Sequence, residues 1–250
     1  MSPSTEQREN RELASEIKFI VSLSMAEQIL GWARSRLAPD PHSSKELQDG
    51  YHISSLYFDT TAFDVFHRKG SFGRSKYRVR KYGKSDVAFL ERKLKTRGLV
   101  SKRRSMVRLN ELGRLLNGES NLDWAGFWYS RRLAARRLAP VCQIDYKRNA
   151  RVSMTDHGPI RLTIDVDVYA LKVHGLGFVG DKGQSILEHQ AIVELKYRCQ
   201  MPVRFKLLIE EFALSKQAFS KYRLAASTLG LVSTAALALG GGDDSQEGYA

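Results

Sequence analysis

The chain is predicted to adopt an α+β fold, an antiparallel β-barrel with a basic lumen and flanking helices. Three observations bear on it, with half-buried antiparallel strands bearing ordinary wet outer faces as the alternative that each strand taken alone would favour. Charged and apolar residues alternate with a period of two in segment after segment, the pattern of strands with one buried face. The polar faces of those segments repeatedly combine Arg or Lys with a single Glu or Asp rather than the Thr, Ser and Gln of a wetted sheet. The stretches between them carry helical periodicity and capping residues. No internal repeat and no break in composition divides the chain, so a single domain is expected over 11–232, with a flexible N-terminus (1–10) and a disordered tail (233–250).

The elements follow in order. SEIKF places Glu16 and Lys18 on one face, Ile17 and Phe19 on the other. SMAEQILGWARSRL reads as an amphipathic helix to about Leu37, opened by a capping box of Ser24 and Glu27. RSKYRVRKY aligns Arg74, Lys76, Arg78 and Arg80 against Ser75, Tyr77, Val79 and Lys81. FLERKLK sets Glu91, Lys93 and Lys95 against Leu90, Arg92 and Leu94. Asn110 is expected to cap a short helix, ELGRLLNG, that Gly118 ends. LDWAGFWYSRRLAARRL (122–138) reads as a helix with aromatics on one side and Arg131, Arg132, Arg136 and Arg137 exposed, and Pro140 follows it.

IDYKRNA aligns Ile144, Tyr146 and Arg148. IRLTIDVDV separates Ile160, Leu162, Ile164, Val166 and Val168 from Arg161, Thr163, Asp165 and Asp167. IVELKYR separates Val193, Leu195 and Tyr197 from Glu194, Lys196 and Arg198. Residues 203–213 read as a helix, after which SKQAFSKYR returns Lys216 and Lys221 to the body. LAASTLGLVSTAALAL (224–239) reads as a terminal helix or frayed tail; Gly230 and small polar residues interrupt it, short of the roughly 20 apolar residues a transmembrane helix needs. Cys142 and Cys199 fall in strand-like segments without metal-ligand spacing and are expected as buried thiols.

Charge narrows the function. The 250 residues are 42% hydrophobic and 27% charged, ordinary for a globular protein, but the net charge is +13. That balance points to a polyanionic partner. Like charges along one strand face repel, and a charged barrel lumen is costly unless water or an anion fills it. A polyphosphate ligand, with a metal held by the acidic residues, suits such a lumen. Neither a G-x-x-x-x-G-K-[ST] loop nor a G-x-G-x-x-G motif is present, and the six histidines are scattered. Nucleic acid is not expected: binding through Arg131–Arg137 would leave the aligned strand charges unexplained.

With the strands placed, nine short motifs in order resemble the VTC domain of the triphosphate tunnel superfamily. They are E-x-K (Glu16, Lys18), SSLYFD (54–59), RSKYRVRKYG (74–83), FLERK (89–93), SKRR (101–104), YKRNA (146–150), RLTID (161–165), VELK (193–196) and FSKY (219–222). The resemblance spans about 11–226 and implies an antiparallel triphosphate tunnel that moves the γ-phosphoryl group of ATP onto a growing inorganic polyphosphate chain. It implies Lys18, Arg78, Arg80, Lys93, Lys102, Arg148, Arg161 and Lys221 as the catalytic phosphate ligands. Arg74, Lys76, Arg104, Lys196, Lys216 and Tyr146 are the accompanying substrate-binding candidates. Glu194 would hold Mn2+ or Mg2+, with Glu16, Glu91 and Asp165 assisting.

The first Glu of the E-x-E-x-K motif of the CYTH branch is replaced by Ala14, which favours transfer over hydrolysis. A tripolyphosphatase or nucleoside triphosphatase, and a non-catalytic polyphosphate sensor, stand as alternatives. Neither an inositol-phosphate sensing domain nor membrane helices are read in the chain. A cytoplasmic location is therefore expected, with a membrane-protein partner as the route to any membrane.

Overall fold

Period-two alternation translates into strands wherever one face can be covered, and this chain covers nearly all of them. The computed structural model describes residues 14–41, 43, 49–96, 99–118, 120–180 and 183–232. The segments expected as a flexible N-terminus and a disordered tail lie outside these. The strands are β1 (Ser15–Ser22), β2 (Ala38–Pro39), β3 (Gly50–Asp59), β4 (Ser75–Tyr82), β5 (Val87–Thr96), β6 (Leu99–Arg108), β7 (Ala139–Thr155), β8 (Gly158–Leu171), β9 (Gln184–Ser185) and β10 (Gln190–Tyr197). The helices are α1 (Leu23–Arg36), α2 (Phe127–Ala135), α3 (Val203–Glu211) and α4 (Lys221–Thr228).

The sheet runs β1-β10-β8-β7-β3-β4-β5-β6, with β2 pairing β7 and β9 pairing β8. It curls until its two edges meet: Ala14, just before β1, exchanges backbone hydrogen bonds of 3.3 and 3.2 Å with Val100 of β6. The result is a strongly curled, barrel-like sheet.

The apolar faces point outward and lie under helices. Phe19 and Val21 of β1, Leu162 and Ile164 of β8, and Val193 and Leu195 of β10 pack with Ile29 and Ala33 of α1 and Phe205 and Leu208 of α3. Around the far side, Leu56 and Phe58 of β3, Tyr77 and Val79 of β4 and Leu90 of β5 pack with Tyr129 and Leu133 of α2, while Tyr222 of α4 stacks on Tyr57, on the opposite face of β3, with ring centroids 5.6 Å apart. Each fully buried large side chain contributes about 1.5–3 kcal/mol. Burial on the outside leaves the polar faces to line the interior.

Several local details depart from the sequence reading. Ser22, not Ser24, caps α1: its Oγ accepts from the Met25 N–H at 3.2 Å, because β1 stays paired with β10 through Ser22 and the helix starts directly after it. The segment 109–115 is a 3-10 helix. Glu111 closes it by accepting from the Arg108 N–H at 2.9 Å, so Asn110 lies inside the turn rather than capping it. Helix α2 begins only at Phe127, since the Trp124 indole folds over Gly126, where a Cβ would meet the ring at 2.4 Å. Arg136 is half-buried, donating to Ser71 Oγ at 2.7 Å and lying 4.2 Å over the Phe72 ring.

The alternation of β8 breaks at a bulge where Asp167 takes φ 53° and is exposed, so Asp167 leaves the row begun by Arg161, Thr163 and Asp165. Cys199 is exposed beyond the end of β10, whereas Cys142 is buried and its thiol pushed up to about 12. Helix α4 takes up 224–228; residues 233–239 of the apolar stretch lie outside the described residues. No described helix is long and apolar enough to cross a membrane.

Candidate active site

The pleat sends alternate residues of each strand to the same side, and registry then decides which of them meet. Two rungs run across β4, β5 and β6. Arg78 pairs with Glu91 and Glu91 with Arg104; Lys76 pairs with Lys93 and Lys93 with Lys102. Opposite them, Arg148 faces Asp165 across β7 and β8, and Lys18 faces Glu194 across β1 and β10.

Each carboxylate organises cations. Glu91, 1% exposed, accepts from Arg78 Nε at 2.6 Å, ion-pairs with Lys102, and lies 3.3 Å from Arg104 Nε. Burial disfavours its charge, but Arg78, Lys102, Arg80 and Arg104 overcome that and hold its carboxyl well below the usual range. Asp165 is fully buried. It takes the Arg148 guanidinium bidentately, at 2.6 and 2.7 Å, and also binds Lys221. Against its burial, these two partners keep its carboxyl at about 2. Glu194 lies 3.5 Å from Lys18 Nζ, and Glu16 binds Lys93 across the seam of the sheet.

Neutral groups aim the remaining cations. Arg80, 4% exposed, donates to Ser55 Oγ at 3.1 Å and to the Tyr146 hydroxyl at 2.9 Å. Arg78 also reaches the Tyr57 hydroxyl at 3.3 Å. Arg104 stacks on Phe89, 3.5 Å from the ring centroid, and donates to the Tyr82 hydroxyl at 3.2 Å. Arg161 bridges Asp40 and Tyr51, both at 2.8 Å. Burial and neighbouring cations also shift the lysines: Lys102 falls to about 8, Lys93 is lowered, and Lys76 lies well below its usual value.

The interior therefore gathers Lys18, Lys76, Arg78, Arg80, Lys93, Lys102, Arg104, Tyr146, Arg148, Arg161 and Lys221. Three predicted residues stand apart. Arg74 ends the 3-10 helix Gly70–Arg74 before β4 and is exposed. Lys216 is exposed on the segment between α3 and α4, and Lys196 is exposed on β10. The four predicted metal ligands do not converge either: among the described residues no three His, Cys, Asp or Glu side chains group as a metal site. Glu91 and Asp165 are fully buried against arginines, whereas Glu194 and Glu16, on paired strands, pair among the described residues only with Lys18 and Lys93 and keep side chains 17% and 12% exposed.

Sequence reasoning missed Tyr51, Ser55, Tyr57, Asp40, Tyr82, Phe89 and Ser220. Tyr51, Ser55 and Tyr57 lie at period two along β3 and could have been found from that spacing; Asp40 sits outside any strand and carried no signal.

A curled antiparallel sheet enclosing cations held in place by buried carboxylates defines an anion-binding tunnel. The chain belongs to the VTC domain family, whose profile matches residues 13–229. A search of curated proteins finds no match. Among solved structures, a Bacillus halodurans protein provisionally described as an adenylate cyclase is 15% identical, covering 84% of this chain and 94% of its own, with a TM-score of 0.50. A Hippeastrum protein, provisionally an adenylyl cyclase and described as having a dominant triphosphatase activity, is 16% identical over 86% of this chain and 95% of its own, with a TM-score of 0.46. The first of these likenesses confirms the tunnel fold.

Proposed function

We propose that the protein is a polyphosphate polymerase, moving the γ-phosphoryl group of ATP onto the end of an inorganic polyphosphate chain inside the tunnel. The family match over residues 13–229 supports it. The observation that carries it is the lumen itself, where arginines are locked in place by Glu91, Asp165, Ser55 and Tyr146 before any substrate arrives. Phosphoryl transfer asks little covalent help of a protein; it needs positioning and neutralisation of charge on the transferring oxygens. Arg78, Arg80 and Arg148 supply fixed planar donors, and Lys18, Lys93, Lys102 and Lys221 supply point charges.

In the transfer, a terminal oxygen of the polyphosphate acceptor attacks the γ-phosphorus. A new P–O bond forms, the bond from the γ-phosphorus to the β–γ bridging oxygen breaks, and ADP leaves with the electron pair. Mg2+ is commonly bound by one or two carboxylates together with substrate phosphates, and Glu194 and Glu16 fit that donor set for Mg2+ or Mn2+. Such an ion would neutralise charge on the β- and γ-oxygens. Glu91 and Asp165 act instead by aiming arginines. The cytoplasm is the compartment that supplies ATP, and a membrane-protein partner would take up the product.

Purified protein incubated with ATP and Mn2+, with tripolyphosphate in parallel, tests this. A polyphosphate ladder with ADP supports the polymerase. Free phosphate alone replaces it with a hydrolase, and tight tripolyphosphate binding without turnover replaces it with a sensor.

A further inference from the structure

Four lumen carboxylates each answer cations: Glu91 with Arg78, Lys102 and Arg104, Asp165 with Arg148 and Lys221, Glu194 with Lys18, and Glu16 with Lys93. Lys76 is different. Among the described residues it has no ion-pair partner, and its ammonium donates to the neutral Ser220 Oγ at 2.9 Å. The strongest of the charges acting on it, those of Lys18, Lys93, Arg68 and Arg223, are positive. It is the end member of the Lys76–Lys93–Lys102 rung, three lysines opposite one another on adjacent strands. Like charges so placed destabilise a sheet. Among the described residues no carboxylate of the surrounding elements lies within ion-pair distance of it. Arg68 comes from the loop after β3, and Arg223 from the first turn of α4, where it lies 5.2 Å over the Phe66 ring and is lowered by burial and by Arg68.

We propose that Lys76, Ser220, Arg68 and Arg223 form a separate subsite for a metal-free phosphate end group, the acceptor end of the chain, next to the nucleotide site. The chemistry selects that ligand. A metal-bound triphosphate is partly neutralised and belongs beside Glu194 and Glu16; a bare terminal phosphate carries full charge and belongs beside Lys76, a lumen lysine with no carboxylate partner among the described residues. Ser220 Oγ, which also accepts from the Arg223 N–H at 3.4 Å, ties the lysine to the start of α4.

The inference rests on the proposed polymerase for the word acceptor, but its test needs no turnover. Binding of metal-free pyrophosphate and of a non-hydrolysable ATP analogue with Mg2+ is measured calorimetrically for the full chain and for Lys76→Gln. The variant is expected to lose at least about tenfold in pyrophosphate affinity and markedly less in nucleotide affinity. Its ligand-free melting temperature should equal or exceed that of the parent, because a repelling charge has gone; a merely structural lysine would lower it. NMR of the lysine ammonium groups should show the Lys76 ammonium titrating at higher pH once pyrophosphate is added. Equal loss for both ligands, no loss for pyrophosphate, or a Lys76 titration unmoved by pyrophosphate overturns the subsite. A chain that makes no polymer yet shows the selective loss overturns the polymerase and leaves the anion subsite standing.

Discussion

Glu91→Gln isolates what a buried carboxylate does in this tunnel. The substitution keeps shape and one acceptor oxygen but removes the charge that faces Arg78 at 2.6 Å, Lys102, and Arg104 at 3.3 Å. Removing one partner of a buried ion pair costs about 3–5 kcal/mol because the other charge is left uncompensated. Lys102 and Arg104 are about one-third exposed, at 36% and 32%, and water screens them, so about 3 kcal/mol is expected. For a chain of this size that lowers the melting temperature by about 6–12 °C near neutral pH.

The pH dependence follows from the sign of the shift. Glu91 is held below its ordinary value of 4.5 in the folded state. Its contribution is therefore complete above that value and lost as pH falls through the folded one. The gap between parent and variant should close as the solution is acidified below about pH 4. Saturating tripolyphosphate should recover part of the loss, since an anion replaces the missing charge. Calorimetry or fluorescence melting across pH reads all of this. A loss under about 1 °C, or a gap of the same size in acid, would refute the reasoning.

Arg80→Ala, and likewise Arg78→Ala, should lower turnover by about a hundredfold or more with the far-UV dichroism unchanged, while Arg92→Ala and Lys147→Ala, on the outward faces, should stay within about twofold; equal effects inside and outside would discard the tunnel as the site. Glu194→Gln should weaken Mn2+ binding in the presence of tripolyphosphate, followed by the paramagnetic signal of the free ion, and an unchanged titration would remove Glu194 from the metal site. Tripolyphosphate affinity should fall as pH rises through about 8, where Lys102, lowered by burial and attended by Glu91, Arg78, Arg104 and Arg80, loses its charge. Tyr82 gains one in the same range, its burial outweighed by Arg80, Arg104 and Lys102. Lys102→Gln combined with Tyr82→Phe should flatten that profile, and a slope left intact would assign it to other groups.

Much of the fold was legible because alternation is local. The pleat alone puts Arg78 and Arg80 on one side and Tyr77 and Val79 on the other, and the mix of charges on those polar faces pointed to an inward-facing lumen. Helix ends were less legible. Whether Ser22 or Ser24 caps α1 depends on where strand pairing lets go, and the late start of α2 depends on the Trp124 ring lying over Gly126. Arg74 kept the right spacing yet falls outside β4, since spacing does not say where a strand begins.

By itself the sequence determined that this protein is built from strands with one apolar and one cationic face, because side-chain alternation and net charge are properties of the chain in order. The partnerships inside were decided only by tertiary structure. Glu16 reaches Lys93 across 77 positions when the seam closes, and Lys221 reaches Asp165 across 56 when α4 docks. Such pairings depend on strand register and curvature, which no local pattern encodes. They set two expected metal ligands, Glu91 and Asp165, against arginines, and left Lys76 without a carboxylate partner among the described residues, donating to Ser220.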